Sequence, residues 1–113
     1  MHAFDVLGDP VRRRVLELLA EGERSAGAVT DVVRAEFGIS QPAVSQHLGV
    51  LRSNGFVHVR VDGPRRIYSL DPTPLWSIDT WLDHHFRHVW RHHLDALDTE
   101  ISRGKRRRRR PEA

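Results

Sequence analysis

The segment between residues 39 and 57 alternates apolar and polar positions at the spacing of a helix. The apolar residues that share one side of it are Val44, Leu48 and Leu51. Ser40 is suited to cap its start, because a serine oxygen can accept from an otherwise unpaired backbone N–H. Asn54 followed by Gly55 supplies a left-handed stop. The pattern therefore predicts a helix between Ser40 and Asn54 whose apolar side faces a core.

The opposite side of this helix is polar. Its residues are Gln41, Ser45, Gln46, Gly49 and Arg52. Amides, hydroxyls and guanidinium groups are the side chains that read base edges and hold phosphates. Gly49 costs about 1 kcal/mol of helix stability relative to alanine, and the close approach of another backbone would explain it. The side-chain types fit a DNA-recognition helix and an ordinary surface helix equally, so the flanking segments decide.

Two further helices are predicted before this one. The first begins with Asp9 as its cap and Pro10 in its first turn, and its apolar face is Val11, Val15, Leu18 and Leu19. The second begins at Ser25 and ends at Gly38, and its apolar face is Ala28, Val29, Val32, Val33 and Phe37. Two helices joined by a short turn around a glycine are typical of a helix-turn-helix unit. The second helix of such a unit enters the major groove.

The N-terminal segment leaves two alternatives open. Residues 1–8 are expected to form a small helix or a loose arm. Arg12, Arg13 and Arg14 crowd the first turn of the following helix, where positive charge opposes the helix dipole. We expect a solvated basic turn there, with an external anion as the alternative.

After Gly55 the period of the apolar positions changes from helical spacing to two. Apolar residues of the two short extended runs are Phe56, Val57, Val59, Val61, Ile67 and Tyr68. The pattern predicts a β-hairpin with a tight Asp62-Gly63 tip. A hairpin beside a recognition helix is a wing, whose arginines are expected beside phosphates or in the minor groove; they are Arg60, Arg65 and Arg66. A solvated turn with spare arginines is the alternative.

A long last helix is predicted from Leu75 to about Ser102. Its apolar stripe is Leu75, Ile78, Leu82, Phe86, Val89, Trp90, Leu94, Leu97 and Ile101. So small a domain cannot cover a stripe of this length, and exposed apolar surface of this kind usually indicates a partner. A symmetric homodimer is the commonest solution.

Charge is unevenly distributed along the chain. Residues 10–66 carry +3, residues 71–102 carry −4, and residues 103–113 carry +6. A basic front fits a nucleic-acid partner. Like charges repel, so residues 103–113 are expected to be a disordered basic tail after a domain of residues 1–102. The tail could add sequence-independent affinity for nucleic acid.

Composition excludes several classes of protein. The sequence contains no cysteine, which removes disulfides and thiolate metal sites. No apolar run approaches the roughly 20 residues of a membrane span, and the N-terminus lacks a signal-peptide profile, so a cytoplasmic protein without a membrane partner is expected. We expect no enzyme, since Ser45 and His47 point apart on a helix and no phosphate-binding loop is present.

These elements together resemble the ArsR/SmtB family of winged-helix repressors. The strings that carry the resemblance are Leu7-Gly8-Asp9-Pro10-Val11-Arg12-Arg13, Ile39-Ser40-Gln41-Pro42-Ala43-Val44-Ser45-Gln46-His47-Leu48 and Gly63 to Leu70. The resemblance covers roughly residues 4–70 and implies a mainly α fold with a β-hairpin wing, dimerising through its first and last helices. By resemblance, Gln41, Ser45, Gln46 and His47 touch DNA, Ser40 holds the backbone, and Arg65 and Arg66 are wing contacts. For His47, a hydrogen bond to a neighbouring side chain is the alternative.

Five of the eight histidines lie on the last helix. His85, His88 and His92 fall within about 60° of one another, and imidazoles four residues apart can chelate one metal ion. Metal sensors of the resembled family use cysteines, absent here, or Asp/His/Glu sets on this helix. Asp83 and His85 begin that set, but the position of the partner histidine is Ala96. We therefore expect no metal cofactor, with metal sensing and a pH response as alternatives.

The sequence as a whole predicts a homodimeric, sequence-specific DNA-binding regulator, with repression through an inverted-repeat operator that overlaps a promoter. Its expected DNA contacts are Ser40, Gln41, Ser45, Gln46, His47, Arg52, Arg60, Arg65 and Arg66. One alternative is a repressor that senses Zn or Ni through the last-helix histidines. The other is a non-specific nucleic-acid binder that depends on the tail. The operator and any effector stay open.

Overall fold

The computed structural model describes residues 2–107, and from residue 102 onward only the backbone. Residues 108–113, which belong to the predicted basic tail, lie outside the described residues. The elements, in chain order, are α1 (Ala3–Leu7), α2 (Pro10–Ala20), β1 (Arg24–Ser25), α3 (Ala26–Phe37), α4 (Gln41–Ser53), β2 (Val57–Asp62), β3 (Arg65–Leu70) and α5 (Thr73–Arg107). The chain up to Ile78 forms one compact unit, and α5 from Asp79 onward forms a second.

The three predicted caps begin the helices of the first unit. Asp9 accepts from the backbone N–H groups of Val11 and Arg12, at 2.8 and 3.2 Å. Ser25 and Ser40 each accept from the N–H three residues on, at 3.1 and 3.3 Å. These bonds satisfy donors that a helix start leaves unpaired.

The predicted stops are glycines in the left-handed region. Gly38 ends α3 with φ 67°, and Gly55 follows α4 with φ 78°. Residues with a side chain rarely adopt such φ angles, so these two glycines fix the turn before α4 and the turn from α4 into the wing.

The core of the first unit contains the predicted apolar faces. Its fully buried side chains are Val6, Val15, Val29, Val33, Val44, Leu51 and Phe56. Burial of Val6 holds residues 3–7 as helix α1, so the small-helix alternative for the N-terminal segment is confirmed. The prediction that Ala28 and Phe37 belong to the buried face of α3 is wrong, because both are exposed, near the two ends of that helix.

The wing is part of a three-stranded antiparallel sheet with the order β1-β3-β2. The third strand, β1, was not predicted, because two residues carry no detectable alternation. It pairs Arg24 with Tyr68 and Ser25 with Ile67. The strand lies directly before α3, so the pairing ties the base of the wing to the start of the helix-turn-helix unit.

The tip of the wing differs by one residue from the prediction. Asp62 still belongs to β2 and pairs with Arg65, so the two turn residues are Gly63 and Pro64. Gly63 has φ 61°, an angle that glycine supplies at the first position of the turn, while proline fits the negative φ of the second.

Helix α5 begins two residues earlier than predicted. The Asp71 carboxylate accepts from the Thr73 N–H at 2.9 Å, and its other oxygen lies 2.8 Å from Nε2 of His58 on β2. The helix continues through Arg107, so residues 103–107, predicted as disordered tail, are helical.

Candidate nucleic-acid interface

Helix α4 has one buried side and one exposed side, as predicted. Val44, Leu48 and Leu51 are at most 4% exposed. The exposed residues are Gln41, Ser45, Gln46, Gly49 and Arg52. At about 100° per residue, Gln41, Ser45 and Arg52 fall within about 40° of one another. The buried side fixes the orientation of the helix. Gln41, Ser45 and Arg52 therefore project together, and Gln46 projects about 100° around the helix from Ser45.

Gly49 lies in the middle of this exposed surface. A methyl group placed on it would meet no atom of the chain within 4 Å. Packing inside the described chain therefore does not account for the glycine. An external group that approaches the α4 backbone would account for it.

His47 points away from that surface. It lies about 160° around the helix from Ser45, and only 21% of its side chain is exposed. Its Nδ1 is 3.5 Å from Arg12 Nη1 and 4.0 Å from Asp9 Oδ1. The structure thus places His47 beside side chains of α2 and does not bring it together with Gln41 and Ser45, so its predicted DNA contact stays a prediction.

Asp9 is the acidic member of this group. Burial by itself would raise the pKa of its carboxyl. Hydrogen bonds from the Arg12 and Val11 N–H groups, with electrostatic contributions from the neighbouring His47 and Arg12, outweigh this effect and lower the pKa. The carboxylate therefore stays charged at the start of α2 beside the inner flank of α4.

The predicted solvated basic turn at the start of α2 is wrong. Arg12 donates to the carbonyl oxygens of Val6 and Asp5, at 2.8 and 3.0 Å, and Arg13 donates to that of Leu7. These carbonyls belong to the last turn of α1, where a helix leaves acceptors unpaired. The arginines therefore join α1 to α2, and they also compensate the negative end of the α1 dipole.

The pairing register divides the wing arginines between two faces. Arg66 pairs with Val61, whereas Arg60 pairs with Ile67 and Arg65 with Asp62. Directly paired residues project from the same face, and neighbours along a strand project from opposite faces. Arg66 thus shares a face with Tyr68, and Arg60 and Arg65 lie on the other.

The three wing arginines also differ in their ion-pair partners. Arg60 Nη2 lies 2.6 Å from Glu23 Oε1, and this hydrogen bond raises the pKa of the guanidinium above its ordinary value. Arg65 lies 3.4 Å from the carboxylate of Asp62. No such partner is found for Arg66 among the residues that the structure describes, so its guanidinium is available to an external anion.

A cleft of about 520 Å³ opens between α3, α4 and β3. Three arginines, one from each element, line it: Arg34, Arg52 and Arg66. Gln41 and Ser45 of the exposed α4 surface line the same cleft. Sequence analysis missed Arg34, because no pattern along the chain indicates that these three distant segments meet.

The second unit exposes the apolar stripe of α5. Trp90 is 59% exposed, Leu94 56% and Ile101 55%. His85 Nδ1 lies 3.1 Å from the carbonyl oxygen of Trp81. Within residues 2–101, no group of three His, Cys, Asp or Glu side chains is placed to hold a metal ion. The set His85, His88 and His92 is therefore not assembled as a site within one chain.

Known proteins similar to this chain agree with the fold. A helix-turn-helix domain model matches residues 7–60. The HTH-type transcriptional regulator Rv2034 of Mycobacterium tuberculosis is 37% identical over 98 residues, which are 87% of this chain and 88% of the relative. The transcriptional repressor SdpR of Bacillus subtilis is 32% identical over 81 residues, which are 72% of this chain and 86% of SdpR.

A solved structure gives the same architecture. The homodimeric winged helix-turn-helix DNA-binding domain of Mb0332 from Mycobacterium bovis, a possible ArsR-family transcriptional regulator, superposes with a TM-score of 0.55. It is 27% identical to this chain, and the match covers 74% of this chain and 81% of that domain.

The fold and the exposed α4 surface define a winged helix-turn-helix DNA-binding regulator. The chain belongs to the ArsR/SmtB family of transcriptional regulators. None of the helices in the described part of the chain combines the length and hydropathy that a bilayer-spanning segment needs.

Proposed function

We propose that the protein is a homodimeric repressor that binds an inverted-repeat operator and blocks the promoter it overlaps. The observation that carries this proposal is the α4 surface. Gln41, Ser45 and Gln46 are all exposed on a helix whose apolar residues Val44, Leu48 and Leu51 are buried in the core. A rigid helix with an amide- and hydroxyl-bearing face fits the major groove, where such groups discriminate base pairs.

Phosphate contacts would hold this helix in register. Arg52 on the α4 surface and Arg66 on β3 lack a carboxylate partner within the described chain and line the same cleft. Arg65 lies at the exposed wing tip. The Ser40 oxygen accepts from Ala43, and its hydroxyl hydrogen can still donate to a phosphate. Arg60 is held more closely, at 2.6 Å from Glu23 against 3.4 Å between Arg65 and Asp62, so we leave Arg60 out of the phosphate contacts.

We assign His47 a positioning role in place of a base contact. Its neighbours Arg12 and Asp9 belong to the start of α2, and Arg12 also holds the end of α1. The histidine therefore supports the inner flank of α4, opposite the surface that would face DNA.

Dimerisation supplies the second half-site. The exposed stripe of α5 needs an apolar partner, and the similar Mb0332 domain is homodimeric. A symmetric dimer would present two copies of α4 to sites about 34–36 Å apart, one turn of the duplex. Residues 1–102 would then act as one DNA-binding and dimerisation domain. The name of the relative SdpR, a transcriptional repressor, supports repression as the outcome of binding.

The test is selection of bound fragments from genomic DNA by the full-length protein. We expect enrichment of an inverted repeat whose half-sites are centred one helical turn apart. The matched variant replaces Gln41, Ser45 and Gln46 by alanine and should lose that preference while it keeps its fold. Failure of the native protein to enrich any sequence would refute specific binding.

A chain without residues 103–113 separates specific binding from the tail-driven alternative. Specific recognition by α4 predicts that the shortened protein enriches the same sequence with a weaker overall affinity, since each lost phosphate contact removes released counterions. If the preference disappeared with the tail, the non-specific alternative would be correct.

A further inference from the structure

The arginines of the first unit fall into two groups. Seven of the nine donate to a carbonyl or carboxylate oxygen of the chain: Arg12, Arg13, Arg14, Arg24, Arg34, Arg60 and Arg65. The two without such a bond among the described residues are Arg52 and Arg66, and both line the cleft between α3, α4 and β3. The two guanidinium groups of the first unit that make no hydrogen bond within the described residues thus lie in the same cleft.

The third arginine of the cleft is held from behind. Arg34 Nε donates to the carbonyl oxygen of Ile39 in the turn before α4, at 3.3 Å. This bond orients the guanidinium and leaves its terminal amino groups for other acceptors. Asp31 is the one acidic side chain in the lining, so three arginines leave an excess of two positive charges.

The cleft also has room and a partly apolar wall. Neither Gly27 nor Gly49, which both line it, has an atom within 4 Å of the place a methyl group would occupy. Leu48 and Tyr68 contribute buried side chains to its wall. A volume of about 520 Å³ lies within the roughly 300–1,000 Å³ range of small-molecule sites.

We propose that this cleft binds a phosphate group, that a small phosphate-bearing anion occupies it in the free protein, and that this anion competes with DNA. Guanidinium groups bind phosphate oxygens through paired, charge-assisted hydrogen bonds. An excess of two charges suits a phosphate dianion better than a single carboxylate. The apolar wall accommodates the body of a molecule that carries the phosphate.

The anion and DNA would compete because they would use the same residues, an inference that rests on the proposed function. Gln41 and Ser45 line the cleft and also belong to the surface proposed to contact bases. An anion seated between Arg52 and Arg66 would take the guanidinium groups that hold the DNA backbone. The duplex and the small anion would then exclude each other, and the anion would act as an inducer.

The first experiment uses the full-length protein without DNA. Inorganic pyrophosphate is titrated calorimetrically at constant ionic strength, with potassium chloride as the balancing salt. We expect saturable binding of one anion per chain, weakened about tenfold by Arg52→Gln or Arg66→Gln, because each removes charged hydrogen bonds. The control Arg60→Gln, which changes the opposite face of the wing, should bind within about twofold of the native protein. Circular dichroism melting checks that all three variants fold.

The second experiment measures displacement of a labelled duplex. Pyrophosphate should weaken DNA binding more than chloride of the same ionic strength, and Arg66→Gln should remove that difference. If pyrophosphate bound no better than chloride, or if Arg60→Gln weakened it as much as Arg66→Gln, the site would be refuted. Loss of DNA affinity in Arg66→Gln without any pyrophosphate binding would assign the cleft to the DNA backbone alone and overturn the competition. Failure of fragment selection would leave the first experiment unaffected, so the two proposals fail separately.

Discussion

Arg60 and Arg66 lie on opposite faces of the wing, although both belong to the basic cluster around its tip. Arg60 pairs in register with Ile67 and Arg66 with Val61, and only Arg60 has a carboxylate partner, Glu23 at 2.6 Å. The six-residue separation in sequence gives no sign of this difference. It makes the two residues a matched pair for dissecting the DNA contacts.

The first prediction concerns this pair. Arg66→Ala should weaken binding to the selected duplex by about tenfold, which corresponds to about 1.4 kcal/mol, because an unpaired guanidinium is removed from the α4 side of the wing. Arg60→Ala should weaken it by less than about threefold, as expected for an exposed ion pair. Fluorescence anisotropy at fixed salt measures both. An equal loss for the two variants would contradict the assignment by face.

Gly49→Ala is predicted to stabilise the protein and weaken DNA binding. The new methyl group meets no atom of the chain within 4 Å, and alanine favours a helix over glycine by about 0.5–1 kcal/mol. The same methyl group projects from the surface proposed to face the duplex. Urea unfolding and anisotropy on one preparation test both halves. Unchanged DNA affinity would show that nothing approaches the backbone at this position.

Arg12→Ala should destabilise the first unit by about 1–3 kcal/mol, because the carbonyls of Asp5 and Val6 lose a charged donor. Arg87→Ala, which removes an exposed arginine from α5, is the matched control and should change stability by less than about 0.5 kcal/mol. Urea unfolding measures the difference. Similar stability for the two variants would mean that α1 does not depend on Arg12.

Asp71→Asn should lower stability at neutral pH and have a smaller effect in acid. Hydrogen bonds from the Thr73 backbone and side chain, followed by the His58 contact, hold the pKa of the Asp71 carboxyl below its ordinary value of 3.8. Since the pKa is lowered on folding, its stabilisation is complete above the unfolded value near 3.8 and disappears as pH falls through the lower folded value.

The measurement is the free energy of unfolding of the native protein and of Asp71→Asn between pH 7 and pH 2.5. The difference between the two free energies of unfolding should be constant above about pH 5 and decrease below about pH 4. Val44→Ala is the control, because it removes buried apolar atoms and no carboxyl, so its difference from the native protein should not decrease in the same way. If the difference in the free energy of unfolding between the native protein and Asp71→Asn increased in acid, a lowered pKa of Asp71 in the folded protein would be refuted.

Trp90→Glu should convert the proposed dimer into a monomer. Trp90 is 59% exposed on the apolar stripe, and a buried unpaired carboxylate at a dimer interface costs several kcal/mol. His88→Glu, which introduces the same side chain on the polar face of α5, should leave the dimer intact. Sedimentation velocity distinguishes the two species. If the native protein sedimented as a monomer, the arrangement of two α4 helices on one operator would be refuted.

Local patterns were sufficient to predict most elements. The caps Asp9, Ser25 and Ser40 and the stops Gly38 and Gly55 act through bonds or angles within a few residues, so their positions follow from the sequence. Strand β1 escaped prediction because a two-residue strand exists only through its partner β3. Helix α5 was predicted with its exposed stripe, since its length alone exceeded what the domain could cover.

The sequence by itself determined the order of the main helices and of the two wing strands, and the polar residues of α4, because helical and strand periods and turn residues act locally. The tertiary structure decided which charged groups are free. Arg12 and Arg13 are bound to α1, and the His47 ring lies beside Arg12 and Asp9 at the start of α2. Arg34, Arg52 and Arg66 meet in one cleft. Whether an arginine is available depends on its distance to acceptors far along the chain, and only folding sets that distance.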